Sequence, residues 1–233
     1  MGIAENINKI RTSLPGYVCL VAVSKTKSDK DITEAYHTGH RDFGENYVQE
    51  LTGKYERLPK DIRWHFIGHL QSNKVKYIAP FIHLIHGVDS FKLLKEINKQ
   101  ASKNNRVIDC LLQIHIAREE TKFGLDEKEF NELIHSTELL SLKNICIKGV
   151  MGMASHTGNE KQVSEEFGNL HRFFTTIKNY SDKISGSGNP LEQLLRPTFI
   201  SSGMSHDYLL ALKQNSNMIR VGSLIFGERN LQV

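Results

Sequence analysis

The stretch VCLVAVSKTKSDKDITEAYHTG, residues 18–39, decides the fold. Its first part, residues 18–24, is a short apolar run of the length of a buried strand. Asp29 then opens the amphipathic segment DKDITEAYHTG, and Gly39 stands where a helix stops. A strand followed at once by a helix is one βα unit, and outward from it the pattern repeats almost from end to end. Further strands are predicted at 42–45, 64–68, 84–88, 110–116, 147–153, 198–202 and 218–223. Between them, Asp89-Ser90 opens FKLLKEINKQASK and Asp126 opens EKEFNELIHS. An N-terminal helix over 3–13 is expected to cover the bottom of the fold.

Eight strands joined by crossover helices leave a closed barrel or an open doubly wound sheet. The barrel is favoured because no GxGxxG follows the first strand and the chemically rich residues fall at strand C-terminal ends. The expectation is a single (β/α)8 TIM barrel domain across residues 1–233. SGSGNP, residues 185–190, is the Gly/Ser-rich stretch and reads as a loop before the seventh strand, not as a linker.

The 233 residues are 39% hydrophobic and 24% charged, the usage of an ordinary globular chain, with a net charge of +4. Its cations are scattered and form no stripe for a phosphate backbone, so no nucleic acid is expected as a partner. No apolar run approaches the ~20 residues that span a bilayer. Residues 1–14 carry charges where a signal peptide is apolar, and Asn6 breaks the myristoylation pattern at Gly2. A cytoplasmic protein with no membrane partner is expected. Cys19, Cys110 and Cys146 sit apart in apolar runs and read as small core residues, with no spacing for a metal.

In VAVSKTK, residues 21–27, alternation puts Val21, Val23 and Lys25 on one strand face, so Lys25 points into the barrel mouth. An amine walled by apolar side chains is disfavoured in its charged form, which makes it a better nucleophile toward an aldehyde. Alone, a lysine ending a strand reads equally as a solvated residue. In SSGMSHD, residues 201–207, Gly203 permits close backbone approach and Ser205 is expected to cap a helix and offer its hydroxyl to an anion. An ordinary strand-to-helix turn is the competing reading. Gly222 and Ser223 repeat the donor pattern after the eighth strand, and barrels often seat a phosphate between the seventh and eighth loops. Arg220 shares a face with Gly222, where it faces a ligand or forms a salt bridge at the rim. His65 and His69 are four residues apart, but on a strand, where that spacing builds no zinc pair. His65 reads as a pocket or a packing residue, and His83, His86 and His115 as hydrogen-bonded barrel residues.

VAVSKTK, GENYVQE (44–50), WHFIGHLQSNKVK (64–76), SSGMSHD and IRVGSLIFGER (219–229) together resemble the pyridoxal 5'-phosphate (PLP) homeostasis protein family, the proline synthetase co-transcribed homologues. That family is similar to the N-terminal barrel of alanine racemase. The resemblance implies that Lys25 carries PLP as a Schiff base while Ser205, Gly222 and Ser223 receive its phosphate. It implies too that Asn46 lies near the cofactor ring, Ser201 lines the same pocket and Arg220 faces the pyridine nitrogen. A cation there disfavours ring protonation and weakens the ring as an electron sink. Two places depart from the family pattern: EETKFGL (119–125), with Phe123 where Ser is frequent, and GVMGMASHTG (149–158) at the end of strand six.

The resulting expectation is a PLP-binding regulator or carrier, a monomer, exchanging PLP with PLP-dependent apoenzymes or amino acids. Racemisation needs a base on each face of the substrate carbon, and Lys25 alone is apparent; the sequence stops after its eighth βα unit, leaving no second domain to supply another. An active PLP enzyme, a racemase or lyase, is the alternative. A Schiff-base aldolase acting on a phosphosugar is a third class, and it predicts a colourless protein.

Overall fold

The computed structural model describes residues 2–119 and 121–228. Met1, Glu120 of EETKFGL, Arg229 at the end of IRVGSLIFGER, and residues 230–233 lie outside the described residues. Eight parallel strands close in the order β1-β2-β3-β4-β5-β6-β7-β8. They are β1 (Cys19–Val23), β2 (Asp42–Glu45), β3 (Arg63–Phe66), β4 (Leu84–Val88), β5 (Ile108–Gln113), β6 (Ile145–Met151), β7 (Leu195–Ser201) and β8 (Met218–Val221). The barrel closes where Cys19 to Ala22 of β1 pair in register with Met218 to Val221 of β8.

Helices α1 (Ile3–Ser13), α2 (Asp29–His37), α3 (Val48–Arg57), α4 (Val75–Ile78) and α5 (Phe91–Lys103) fill the first half. Helices α6 (Glu127–Ile134), α7 (Glu160–Ile184), α8 (Leu191–Leu194), α9 (Tyr208–Lys213) and α10 (Ser223–Phe226) complete it. The start signals act as their chemistry requires. Ser28 and Asp126 each form a reciprocal capping box, with Asp31 and Glu129, and Ser90 accepts from Leu93 N. Ser28, not Asp29, is therefore the cap of α2. Gly39, with φ 85°, ends it. SGSGNP joins α7 to α8 as a loop.

Strands β5, β6 and β7 begin two or three residues earlier than their apolar runs suggest. Pro197 interrupts β7, and there the pairing with β6 slips, from Ile147 opposite Leu195 to Gly149 opposite Phe199. Gly149 has φ 137°, and a Cβ on it would lie 1.9 Å from the Phe199 carbonyl oxygen. Strand β5 stops at Gln113 because the chain turns, and Leu125 N donates to the Gln113 carbonyl.

The apolar layer between barrel and helices includes Ile7, Ile32, Phe43, Leu51 and Trp64, all fully buried. Inside the barrel, Val21, Leu84, Leu111, Met151 and Met218 form a second cluster. Two polar constructions break this pattern. Between β2 and α3, Lys54 Nζ, 3% exposed, donates to Glu45 Oε1 at 2.8 Å, Glu50 Oε1 at 2.6 Å and the Ser24 carbonyl at 2.7 Å. Ser24 Oγ also donates to Glu45 Oε1 at 2.6 Å. Burial pushes the Glu45 carboxyl up, against the pull of Lys54.

Along the axis, Asp42, His65, His86, Ser201 and Arg220 follow one another in hydrogen-bond contact. Burial alone would raise Asp42, but hydrogen bonds from Arg63 and His65 hold it well below the usual carboxylate range. His86, fully buried, is held well below the usual imidazole range, first by burial and then by the neighbouring His65 and Arg220. His83 at the floor keeps an exposed edge and is pulled down to about 4 by the partial burial of its ring and by the neighbouring His65.

Removing Lys54 strands Glu45 as a buried unpaired charge, so Lys54→Met is expected to lower unfolding free energy by about 3–5 kcal/mol in denaturant titrations. Acid should also destabilise the barrel. The folded forms of His83, His86 and Asp42 bind protons less readily than the unfolded chain, so their stabilisation is present above the ordinary values and lost below them. Glu45, shifted upward, opposes this. Melting temperature is expected to fall as pH drops below about 6.5 and again below about 4, and His86→Phe should flatten the first fall.

Candidate functional site

A cavity of about 340 Å³ opens at the barrel mouth, lined by Val23, Lys25, Asn46, Ile67, Met153, Ser205, Arg220, Gly222 and Ser223 among others. This is the size of a small-ligand site. Six of the seven residues singled out in the sequence meet in it, from the ends of β1, β2, β7 and β8.

Lys25 follows β1 on the face of Val21, inside the barrel, and Val23, which also lines the cavity. Its neighbours are pinned: Ser24 by Lys54 and Glu45, and Thr26 by a 2.6 Å hydrogen bond from its backbone N–H to Glu50 Oε1. Thr26 adopts φ 65°, a left-handed conformation that non-glycine residues rarely take and that tertiary contacts must hold. Asn46 follows β2, and its Oδ1 is buried without a hydrogen-bond partner among the described residues.

Ser205 corrects one expectation. It does not cap a helix: α9 starts at Tyr208, and Asp207, in the preceding position, accepts from Met204 N at 2.6 Å. The Ser205 hydroxyl instead accepts from Gly222 N at 3.3 Å, which joins the loops after β7 and β8. Gly203 does carry the close approach expected of it: φ is 90°, and a Cβ would fall 2.8 Å from Tyr208 Cα. Ser223 is the first residue of α10.

Arg220 is 4% exposed and donates from NH1 to Ser201 Oγ at 2.7 Å and from NH2 to the Gly152 carbonyl at 3.1 Å. Its partners are thus a hydroxyl and a carbonyl. Burial pulls its guanidinium down to about 10, against the nearby charge of Asp207. Ser201, fully buried, does not line the cavity but stands behind Arg220.

Of the two places that depart from the family pattern, strand six contributes Met153 to the cavity and the Gly152 carbonyl to Arg220. Phe123 stays outside the cavity, stacked on His69 at 4.1 Å between ring centroids. His69 lies beyond β3, paired with Asp89 Oδ2 at 3.0 Å, and makes no zinc pair with His65. His65 is neither at the mouth nor merely packed; it faces a smaller floor cavity with Cys19, Asp42 and His83. His115 Nε2 pairs with the Glu119 carbonyl at 2.9 Å. Cys110 and Cys146 are buried and unbridged.

Sequence reasoning missed two features: the Glu45–Lys54–Glu50 cluster and the grouping of Asp42, His65 and His83 at the floor. Period-2 alternation on β2, β3 and β4 marks Asp42, His65 and His86 as inward-facing, but only the closed barrel brings them together.

Chemically, the cavity offers two primary amines, Lys25 and a Lys27 tied to carbonyls at the end of α10, together with two hydroxyls, a turn with backbone amides and a buried guanidinium around a space for one small ligand. Such a donor set suits an anion-bearing carbonyl compound. The sequence profile of the alanine racemase N-terminal domain matches residues 2–230. The pyridoxal phosphate homeostasis protein of Aquifex aeolicus is 37% identical over 211 residues, covering 90% of this chain and 86% of that protein. That of Schizosaccharomyces pombe is 36% identical over 91% of this chain and 84% of the relative. The solved structure of PipY from Synechococcus elongatus with PLP bound is 33% identical and superimposes with a TM-score of 0.81, over 97% of this chain and 100% of that one. Alanine racemase of Clostridium difficile, at 14% identity and a TM-score of 0.74, shares the fold over 99% of this chain and 58% of its own. With a profile match over nearly its whole length and relatives above 30% identity, this chain belongs to the pyridoxal phosphate homeostasis protein family.

Proposed function

We propose that the chain acts as a single barrel domain that holds PLP at its mouth and exchanges it with PLP-dependent apoenzymes or amino acids, without a substrate turnover of its own. We read it as a cytoplasmic monomer. The observation that carries this is the convergence of Lys25, Asn46, Ser205, Arg220, Gly222 and Ser223 on one cavity. Two features of the chain suit the cofactor. The donor set is matched to a phosphate and an aldehyde, and Asn46, which lines the same cavity as Lys25, has a buried Oδ1 with no partner among the described residues, of the kind a ligand donor satisfies.

When bound, PLP would supply an aldehyde carbon open to a primary amine. Lys25 is the amine, and the anchored backbone on either side of it fixes where that amine stands. Ser205 and Ser223 would offer hydroxyls to the phosphate from two adjoining loops, with the Gly222 amide, which donates to Ser205 Oγ, between them. Arg220 would set a cation at the ring end, where carbanion chemistry relies on a carboxylate that keeps the ring nitrogen protonated. Such a site retains the cofactor and stabilises a substrate carbanion poorly.

Purified protein mixed with PLP is expected to develop a visible absorption band that Lys25→Ala abolishes. Retention of a colourless sample by the unchanged protein would overturn the reading. Ser205→Ala and Ser223→Ala should each weaken PLP retention roughly tenfold in dialysis, with the Lys25 band still formed at saturating PLP. Cα deuterium exchange from amino acids by the holoprotein is expected to stay below about 1 s⁻¹, the low end of enzyme rates; faster exchange would make it an enzyme.

A further inference from the structure

Five side chains from five strands connect the cofactor cavity to the barrel floor. Arg220 NH1 meets Ser201 Oγ at 2.7 Å, and Ser201 Oγ meets His86 Nδ1 at 3.0 Å. His86 Nε2 meets His65 Nδ1 at 2.9 Å, and His65 Nε2 meets Asp42 Oδ1 at 3.0 Å. With each imidazole singly protonated, the two ends decide the direction of every bond between them, because a guanidinium only donates and an ionised carboxylate only accepts. For Asp42 to accept, the His65 proton must sit on Nε2. Nδ1 of that ring is then a lone pair, so His86 donates from Nε2 and accepts at Nδ1. Ser201, already accepting from Arg220, gives its one hydroxyl hydrogen to His86. All four contacts are satisfied with one hydrogen each. The opposite direction sets the His65 lone pair against a carboxylate and leaves the Ser201 hydrogen with no acceptor in the chain.

We propose that His65 and His86, acting through Ser201, are positioning residues for Arg220: the Asp42 carboxylate at the floor orders the tautomers above it and so aims the Ser201 lone pair at the guanidinium. Burial, which holds His86 well below the usual imidazole range, keeps that ring singly protonated and the direction defined. That Arg220 then faces the cofactor ring rests on the function proposed above, whereas the ordering of the chain does not.

Asp42, His65 and His83 also bring ligand atoms within 4.8 Å of one another beside a floor cavity of about 220 Å³, the geometry of a divalent-metal site. The Arg63 guanidinium already clasps both oxygens of Asp42, through Nε at 2.7 Å and through NH2, and so fills the place of a cation. The nitrogen that His65 would lend to a metal is the one that carries its proton in the ordered chain. Cys19 in the same cavity has its thiol pushed up to about 12 by burial and by Asp42, far from a ready thiolate ligand.

Two-bond 1H–15N correlation spectra of the labelled full-length protein read imidazole tautomers directly. Both His65 and His86 are expected as Nε2–H forms; an Nδ1–H form of either overturns the proposal. Loss of the His65 Nε2–H signal on adding stoichiometric zinc would make the cluster a metal site and overturn it as well. In the PLP-loaded protein, His86→Phe is expected to weaken PLP retention about tenfold and to shift the pH profile of the visible band, with His86→Gln, one donor and one acceptor, restoring part of both. A His86→Phe protein that is folded by circular dichroism and keeps the wild-type profile and retention would show the relay to be idle. If the unchanged protein forms no Lys25-dependent band, the cofactor reading fails, and the tautomer spectra still judge the ordering.

Discussion

The three N–H bonds of the Lys54 ammonium hold the site together. They reach Glu45, Glu50 and the Ser24 carbonyl, which is the full donor capacity of a lysine, inside a wall where an unpaired charge is intolerable. Through them β1, β2 and α3 are fixed to one another at the point where the chain leaves β1 for Lys25. The positive φ of Thr26 follows from this constraint. The backbone N–H of Thr26 is drawn to the same Glu50 that Lys54 holds, and the turn is accepted because several contacts over-determine it. Lys25 is thereby carried on a backbone held on both sides.

The second polar construction runs through the apolar interior. Most of the barrel is filled with Val, Leu and Met, as the fold requires, yet one path of imidazoles and hydroxyls climbs from Asp42 to Arg220. Each polar atom on that path is matched to another, so the interruption of the core is tolerated. Its upper end is a buried guanidinium whose own charge is disfavoured by burial, which makes its hydrogen-bond partners matter more than they would at the surface.

Much of this was legible in the sequence because strand order in a (β/α)8 barrel follows chain order. Alternation along VAVSKTK puts Lys25 at the mouth, and the loops ending β7 and β8 are neighbours by topology, which is why Ser205, Gly222 and Ser223 meet there. What failed was local detail that tertiary contacts override. Ser205 looks like a cap in sequence, but Asp207 two residues on has the longer reach and closes that turn. Pro197 hides the first half of β7, since a residue without an N–H reads as a break and the barrel absorbs it in a slipped register. Lys54 carries no signal in the sequence, and its burial follows only once α3 is laid against β2. The histidine path joins residues 19 to 115 positions apart, from 201 with 220 to 86 with 201, a spacing with no local signature.

Lys27, two residues past the amine, donates to the carbonyls of Phe226, Gly227 and Glu228 at the end of α10. That one side chain rivets the loop carrying Lys25 to the segment carrying Gly222 and Ser223, across the seam where β1 meets β8. The spacing between Lys25 and the turn at Gly222 and Ser223 is therefore held by the protein's own bonds. The mouth is thus tied along that seam by a side chain as well as by strand pairing, which gives the two loops a common anchor.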